Sequence, residues 1–429
     1  MIRASTGTVS RFQHPSGWCI LLQTVNMIKP SSYGWVVVTS AFFITYITCG
    51  INFSFGVFML PIITEMGWSR GLISSVMVVV GIIYAFTLPA TGSLSERYGY
   101  KWVLGISTSL LGAGLLLSSQ IHELWQLYVY NGLFIGLSAA ATYAVPVALV
   151  ALWFRERQGL ALGVATLGVS LGTATVPLII SWIIGICGWR TAMLIAGTAV
   201  IGITLPAVLL IRQPPLLSRQ PENNSADTGV PSENAWHGLT PGEAVRTGHF
   251  WLLFIILLIF LTGLNLLMLH LVPYAVDSGM TPVQAATLLT LIGLCGIAGR
   301  LGAGVVSDRY GAKPVMVGGL CLLTLIVLMV TLFPRAWSFY LFAALYGVGY
   351  SSVATMMVRI TRYVFGVKAL GPIFSLLMIS DGIGVAVGPV LAGLMFDITG
   401  SYFSIFLMVS AALAGAAVAT ATLRPTRQT

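Results

Sequence analysis

The sequence predicts an all-α polytopic membrane protein with twelve transmembrane helices in two pseudo-symmetric six-helix bundles. Composition is the first support. Of 429 residues, 57% are hydrophobic and 8% charged, whereas a soluble domain covers its surface with about 25% charged residues. The second is length: apolar stretches of roughly 20 residues recur along the whole chain, enough to cross a bilayer core. These stretches are continuously apolar and lack the alternation of a barrel strand. The third is a repeat between the two halves of the chain, described below.

In order, the apolar stretches place spans at 34–60, 72–94, 102–121, 126–152, 160–184 and 191–211, then at 248–271, 284–306, 315–333, 338–359, 369–395 and 402–422. Residues 1–33 are expected to form a cytoplasmic segment. Arg3 and Arg11 precede no long apolar core, and Cys19–Leu22 is too short to act as a signal peptide. Residues 34–211 form the N-terminal bundle. Residues 212–246, with Pro214, Pro215, Asn223, Asn224, Ser225 and Pro241, read as a flexible cytoplasmic linker. Residues 247–422 form the C-terminal bundle, and 423–429 a short tail.

The two bundles repeat each other at one offset. GSLSERYGYK from Gly92 returns as GVVSDRYGAK from Gly304, 212 residues on. The same offset pairs Pro61 with Pro273, Gly172 with Gly384, Pro177 with Pro389 and Gly188 with Gly400. One offset held across separated segments indicates duplication.

Charge placement sets the expected orientation. With both termini cytoplasmic, every Lys and Arg lies on that side except Arg70, Arg190 and Arg335 outside and Arg300 within a span. The net charge of +9 is thereby a topological signal, and no nucleic-acid partner is expected. The five cysteines (Cys19, Cys49, Cys187, Cys295 and Cys321) have no metal-ligand spacing, so neither metal nor cofactor is expected. The sequence contains no phosphate-binding, zinc-hydrolase or serine-nucleophile motif, which argues against an enzyme.

Two charges fall well inside the predicted spans, Arg300 and Asp381. An intramembrane charge costs several kcal/mol unless compensated, so each marks a functional site. Arg300 lies eight residues before Asp308, about 12 Å from the cytoplasmic end at 1.5 Å per residue. Its planar guanidinium suits bidentate capture of a carboxylate in low dielectric. Asp381 lies about twelve residues into its span. Burial favours its neutral form and a nearby Arg300 its ionised form. An acid that neutralises Arg300, then yields it to an anion on protonation, is one expected coupling device; a structural pair is the other reading.

Glu96–Arg97, with Gly92, Gly99 and Lys101, and Asp308–Arg309, with Gly304, Gly311 and Lys313, close corresponding turns. The acid can pair with a base or a helix N-terminus next door and hold a gate shut, or the basic residues can serve topology alone. The pattern G-x-x-x-(D/E)-R-x-G-x-K in both halves resembles the major facilitator superfamily, over about residues 30–422. WFRERQGLALGVATLGVSLG (Trp153 to Gly172) is similar to the fifth-helix segment of monocarboxylate carriers and their bacterial relatives, through Phe154, Arg157, Leu160, Ala161, Gly163, Ala165, Gly168 and Gly172. YGWVVV echoes that family's opening signature, with Pro30 where its leading acid stands. GVFMLPIITEMGWSR resembles the bacterial branch that includes oxalate/formate exchangers.

The resemblance implies the major facilitator fold and alternating access around a mid-membrane site. It implies a monomeric, proton-coupled carrier for a small monocarboxylate such as lactate or pyruvate, embedded in the lipid bilayer of a bacterial inner membrane. Exchange or export of another organic anion, and a sensor that keeps the fold without transport, stay open. Arg300 in AGRLGAG resembles the eighth-helix arginine that binds the substrate carboxylate. Tyr143 looks like a pocket tyrosine, and Asn52, Asn265 and His270 lie on helices that line the cavity in that fold. His270 has a second reading as an outer gate or proton-access group, and Tyr84, Phe53 and Phe374 as apolar wall. The chain departs from the family where Gly296 replaces an acid and Phe53 a first-helix lysine. It also lacks the second base of oxalate exchangers, which favours a monoanion.

Overall fold

In a computed structural model, residues 32–154, 158–212, 238–366 and 368–425 are described. The expected segment 1–31, most of the linker and the end of the tail lie outside them. The helices of the first half are α1 (Ser32–Phe53), α2 (Phe55–Met66), α3 (Arg70–Ser74), α4 (Val76–Tyr98), α5 (Tyr100–Ser118), α6 (Leu124–Leu127), α7 (Phe134–Trp153) and α8 (Gln158–Leu209). A π-helical turn, Tyr128–Leu133, joins α6 to α7. The second half holds α9 (Pro241–Val245), α10 (Gly248–Asp277), α11 (Pro282–Tyr310), α12 (Ala312–Leu332), α13 (Ala336–Phe365), α14 (Leu370–Leu377), α15 (Ile379–Thr399) and α16 (Phe403–Thr422).

A helix satisfies its own backbone polar groups, the requirement that hydrocarbon imposes on any spanning segment. Among the described residues, 11 helical stretches are long and apolar enough to cross a membrane. One of them, Leu160–Leu209, contains a non-helical residue, Gly188, at φ 80° and ψ 165°. Its 50 residues would extend about 75 Å if straight, far beyond one bilayer core of about 30 Å.

The repeat is visible in the backbone. Gly67 and Gly279 follow the ends of α2 and α10, at φ 69° and 95°. Gly99 and Gly311 close the turns after α4 and α11, at φ 92° and 87°. Gly188 and Gly400 make the third pair, at φ 80° and 67°. All three pairs keep the 212-residue offset, and each uses a conformation that a Cβ would strain.

Close packing between helices follows the same offset. A Cβ at Gly172 would strike the Tyr46 carbonyl, joining α8 to α1, and one at Gly384 would lie 2.9 Å from the Leu261 carbonyl carbon, joining α15 to α10. In membranes, where lipid tails are as apolar as Leu, such small-residue contacts hold helices together. The end of the bundle to which residue 212 and residue 238 lead is called the linker end below, and the opposite end the far end.

Candidate functional site

Arg300 is positioned by a helix held tightly on two sides. A Cβ at Gly293 would lie 2.5 Å from the Ser170 carbonyl oxygen on α8, and one at Gly299 2.5 Å from the Val348 carbonyl oxygen on α13. Between them, a Cβ at Gly296 would come within 2.7 Å of Ser351 Oγ. A larger residue at Gly296 would require the Ser351 side chain to turn away, while the nearest backbone atom, the Gly347 carbonyl oxygen, stays at an ordinary 3.6 Å.

Arg300 emerges half-buried beyond this clamp. Its Nη1 donates to the Thr166 carbonyl oxygen at 3.3 Å, across to the first half of the chain, and its Nη2 to the Tyr350 hydroxyl at 3.5 Å. Both bonds are long for N–H···O, and neither acceptor is charged. Among the described residues no carboxylate oxygen lies within 4.0 Å of its guanidinium. Tyr350 was not singled out from sequence: with Tyr346, Ser351, Ser352 and Thr355 close by on α13, nothing in the pattern sets its hydroxyl apart.

Asp381 lies just after the junction of α14 and α15, in the first turn of α15. The Tyr84 hydroxyl donates to Oδ2 at 3.2 Å, and Asn265 Nδ2 donates to Oδ1 at 3.3 Å while also bonding the Leu261 carbonyl at 2.8 Å. Three residues read separately from the sequence therefore meet, joining α4, α10 and α15. The expected neutralisation of Arg300 by Asp381 is not formed. The two side chains belong to different helix contacts: Arg300 reaches α8 and α13, whereas Asp381 is held against α4 and α10.

The far end holds a second arginine that the sequence reading left outside the membrane. Arg70 opens α3 and is 9% exposed. Nη1 donates to Asp277 Oδ2 at 2.6 Å and to the Tyr402 hydroxyl at 2.8 Å, and Nη2 to Asp277 Oδ1 at 2.8 Å. The guanidinium lies 3.8 Å over the Phe396 ring centroid. Asp397 accepts from the backbone N–H groups of Arg70 and Gly71 at 3.2 and 2.8 Å, capping the helix start. His270 is buried in this cluster, with Nδ1 3.0 Å from the Tyr402 hydroxyl and Nε2 2.9 Å from the Pro389 carbonyl and 3.2 Å from Ser74 Oγ. His270 thus lies apart from Asp381, with both ring nitrogens engaged, and does not present a free group to a cavity.

These contacts tie the two halves together from the far end to the level of Arg300 and Asp381. Toward the linker end, Gly92 on α4, Gly163 on α8, Gly302 and Gly304 on α11 and Gly371 on α14 have nothing within 4 Å of the place a Cβ would take.

The remaining predicted residues are dispersed. Asn52 and Phe53 end α1 half-buried; Asn52 makes no side-chain hydrogen bond to a described residue, and Phe53 packs against the main apolar core. Phe374 on α14 is half-buried. The side chains of Tyr143 and Glu96 lie outside the described residues. Arg97 and Arg309 are exposed, Arg97 lying 5.4 Å from the Tyr98 ring centroid. Asp308 accepts from Arg359 Nη1 at 2.6 Å, and the same nitrogen donates to Ser307. That pair links α11 to α13 inside one half of the chain.

The family model for the Major Facilitator Superfamily matches residues 38–304 and 272–429. Monocarboxylate transporter 13 of Rattus norvegicus is 27% identical over 392 residues, covering 90% of this chain and 88% of its own. Monocarboxylate transporter 12 of Homo sapiens is 25% identical over 408 residues, covering 88% and 77%. Among solved structures, a variant of the nucleoside transporter NupG aligns with a TM-score of 0.71 at 13% identity, over 90% of this chain and 99% of that one. A bacterial homolog of the human lysosomal transporter Spinster, inward-facing and occupied, aligns at 0.70 and 14% identity, over 91% and 96%.

Proposed function

The chain belongs to the Major Facilitator Superfamily, and from that premise we propose that it carries small monocarboxylates such as lactate or pyruvate by proton-coupled symport. Family membership makes it a multi-pass membrane transporter and not an enzyme, with a distant relationship to monocarboxylate transporters. The finer reading counts the two arms of α8 on either side of Gly188 as separate spans. That makes twelve, in two six-helix halves that rock about a central site. The protein acts as a monomer in a bacterial inner membrane with both termini cytoplasmic.

One observation carries the substrate class. Arg300 keeps its guanidinium on a carbonyl and a phenol at long range, with no carboxylate beside it among the described residues. Its fork is available to a substrate carboxylate, which charge-assisted pairing favours over both present acceptors. A lone base of this kind suits a monoanion better than oxalate.

Coupling follows from which contacts bridge the halves. Arg300 on α11 holds the Thr166 carbonyl on α8, and Tyr84 on α4 holds Asp381 on α15. A carboxylate arriving at Arg300 weakens the first bridge, and a proton arriving at Asp381 weakens the second. Each ligand releases one mid-membrane contact between the halves, and the far-end contacts of Arg70 with Asp277 are released separately. Asn265 and Tyr84 act here as positioning residues for the acid; Tyr143, Asn52, Phe53 and Phe374 shape the substrate's surroundings. Glu96–Arg97 and Asp308–Arg309 serve as the gate at the linker end.

Uptake of labelled L-lactate, pyruvate, formate and oxalate into proteoliposomes tests this reading. Saturable lactate and pyruvate uptake, stimulated by an inward proton gradient, is expected, with little oxalate. Preference for oxalate, or lactate uptake indifferent to the gradient, contradicts it.

A further inference from the structure

The far-end cluster contains hydrogen bonds that fix their own direction. The Pro389 carbonyl can only accept, so His270 Nε2, 2.9 Å away, carries a proton. The Tyr402 hydroxyl accepts from Arg70 Nη1 at 2.8 Å, which leaves its own proton for His270 Nδ1 at 3.0 Å. The chain from Arg70 through Tyr402 and His270 to Pro389 is thus complete only when the imidazole is neutral. It ties α3 of the first half to α10, α15 and the residue that precedes α16.

We infer that His270 is a second proton-binding site, distinct from Asp381, and that its protonation weakens the lock at the far end. An imidazolium places a donor at Nδ1 against a hydroxyl that already accepts from Arg70, so Tyr402 loses the acceptor for its proton. It also puts a second cation beside Arg70. The charged and titratable groups facing His270 are Arg70 from α3, Asp397 from α15, Tyr402 before α16, and Asp277 and Tyr274 on its own helix. Neither carboxylate is free to compensate: Asp277 is bound bidentately by Arg70, and Asp397 caps the start of α3.

His270 itself is 0% exposed, but the Asp277 side chain retains 34% exposure, so a proton entering from the far side meets this cluster before any mid-membrane group. His270 is five residues beyond Asn265 on α10, a rise of about 7.5 Å, and Asn265 donates to Asp381. The sites therefore lie in series. The sign follows directly: the lock is intact while the imidazole is neutral and is lost as pH falls through its titration.

The inference rests on the alternating-access reading, but its test needs no substrate. Spin labels at Gln120→Cys and Leu332→Cys, in full-length protein with its five native cysteines replaced by serine, report the far-end separation between the halves. Between about pH 8 and about pH 4, the population with the longer separation is expected to rise roughly tenfold. His270→Gln, whose amide can donate to Pro389 and accept from Tyr402 without titrating, should stay short throughout. Tyr402→Phe should show the longer separation already at the upper pH. A wild-type pH response retained in His270→Gln overturns the inference, as does a wild-type protein whose separation ignores pH. Should His270→Gln fail to fold, an unchanged Tyr402→Phe profile overturns it instead. A loss of lactate transport with an intact pH-dependent separation would count against the substrate reading alone.

Discussion

Arg70 and Arg300 are chemically identical side chains in the same apolar bundle, and the structure treats them oppositely. Arg70 is saturated: a bidentate carboxylate, a phenol and an aromatic face surround its guanidinium. Among the described residues, Arg300 holds neutral oxygens alone, at 3.3 and 3.5 Å. A saturated buried cation has no capacity left for a ligand and joins the helices that supply its partners. Arg300 is half-buried, and among the described residues its two long bonds go to neutral oxygens, an arrangement that leaves its fork open to a carboxylate under the proposed reading. The first is therefore read as a lock, and the second as a binding group.

The contrast is sharpest if each arginine is removed. Arg300→Ala is expected to lower lactate uptake by about 100-fold or more, the loss of a charged, bidentate contact, with the melting temperature nearly unchanged. A melting temperature that falls with uptake would assign Arg300 to structure and erase the distinction. Arg70→Gln should do the reverse in kind. It leaves Asp277 without its partner and costs about 2 kcal/mol after allowing for that carboxylate's exposure, readable as a lower melting temperature and a separated far end. The smallest effect is expected where a pair is most exposed. Asp308 and Arg359 keep 70% and 43% of their side-chain surface, so Asp308→Asn should change stability by no more than about 1 kcal/mol. Its measurable consequence, if the turn is a gate, is in the transport rate.

Much of the fold was legible because it is written locally. Continuous apolar runs mark helices, and the 212-residue offset reappears as Gly67 with Gly279, Gly99 with Gly311 and Gly188 with Gly400, each at positive φ. Arg300 stood out because its neighbours in sequence are apolar. Arg70 did not: it lies at the edge of a span, where a charge is ordinary, and its partners Asp277 and Tyr402 are 207 and 332 residues away. The signal that was present is a set of charges at far-side helix ends, Arg70, Asp277 and Asp397, which a pattern along one chain cannot bring together. For Asp381 the residue was visible but its partners were misjudged. Position near mid-membrane suggested Arg300, whereas the packing of α15 against α4 and α10 delivered Tyr84 and Asn265.

The central claim is that Arg300 holds the substrate carboxylate while Asp381 separately holds the proton. Counterflow of labelled L-lactate between two lactate pools, which needs no proton gradient, compared with gradient-driven uptake, tests it most directly. Asp381→Asn is predicted to keep counterflow and lose the response to the gradient, whereas Arg300→Lys, which retains charge without the planar fork, loses most of both. Full counterflow in Arg300→Lys, or an undiminished gradient response in Asp381→Asn, would contradict the account.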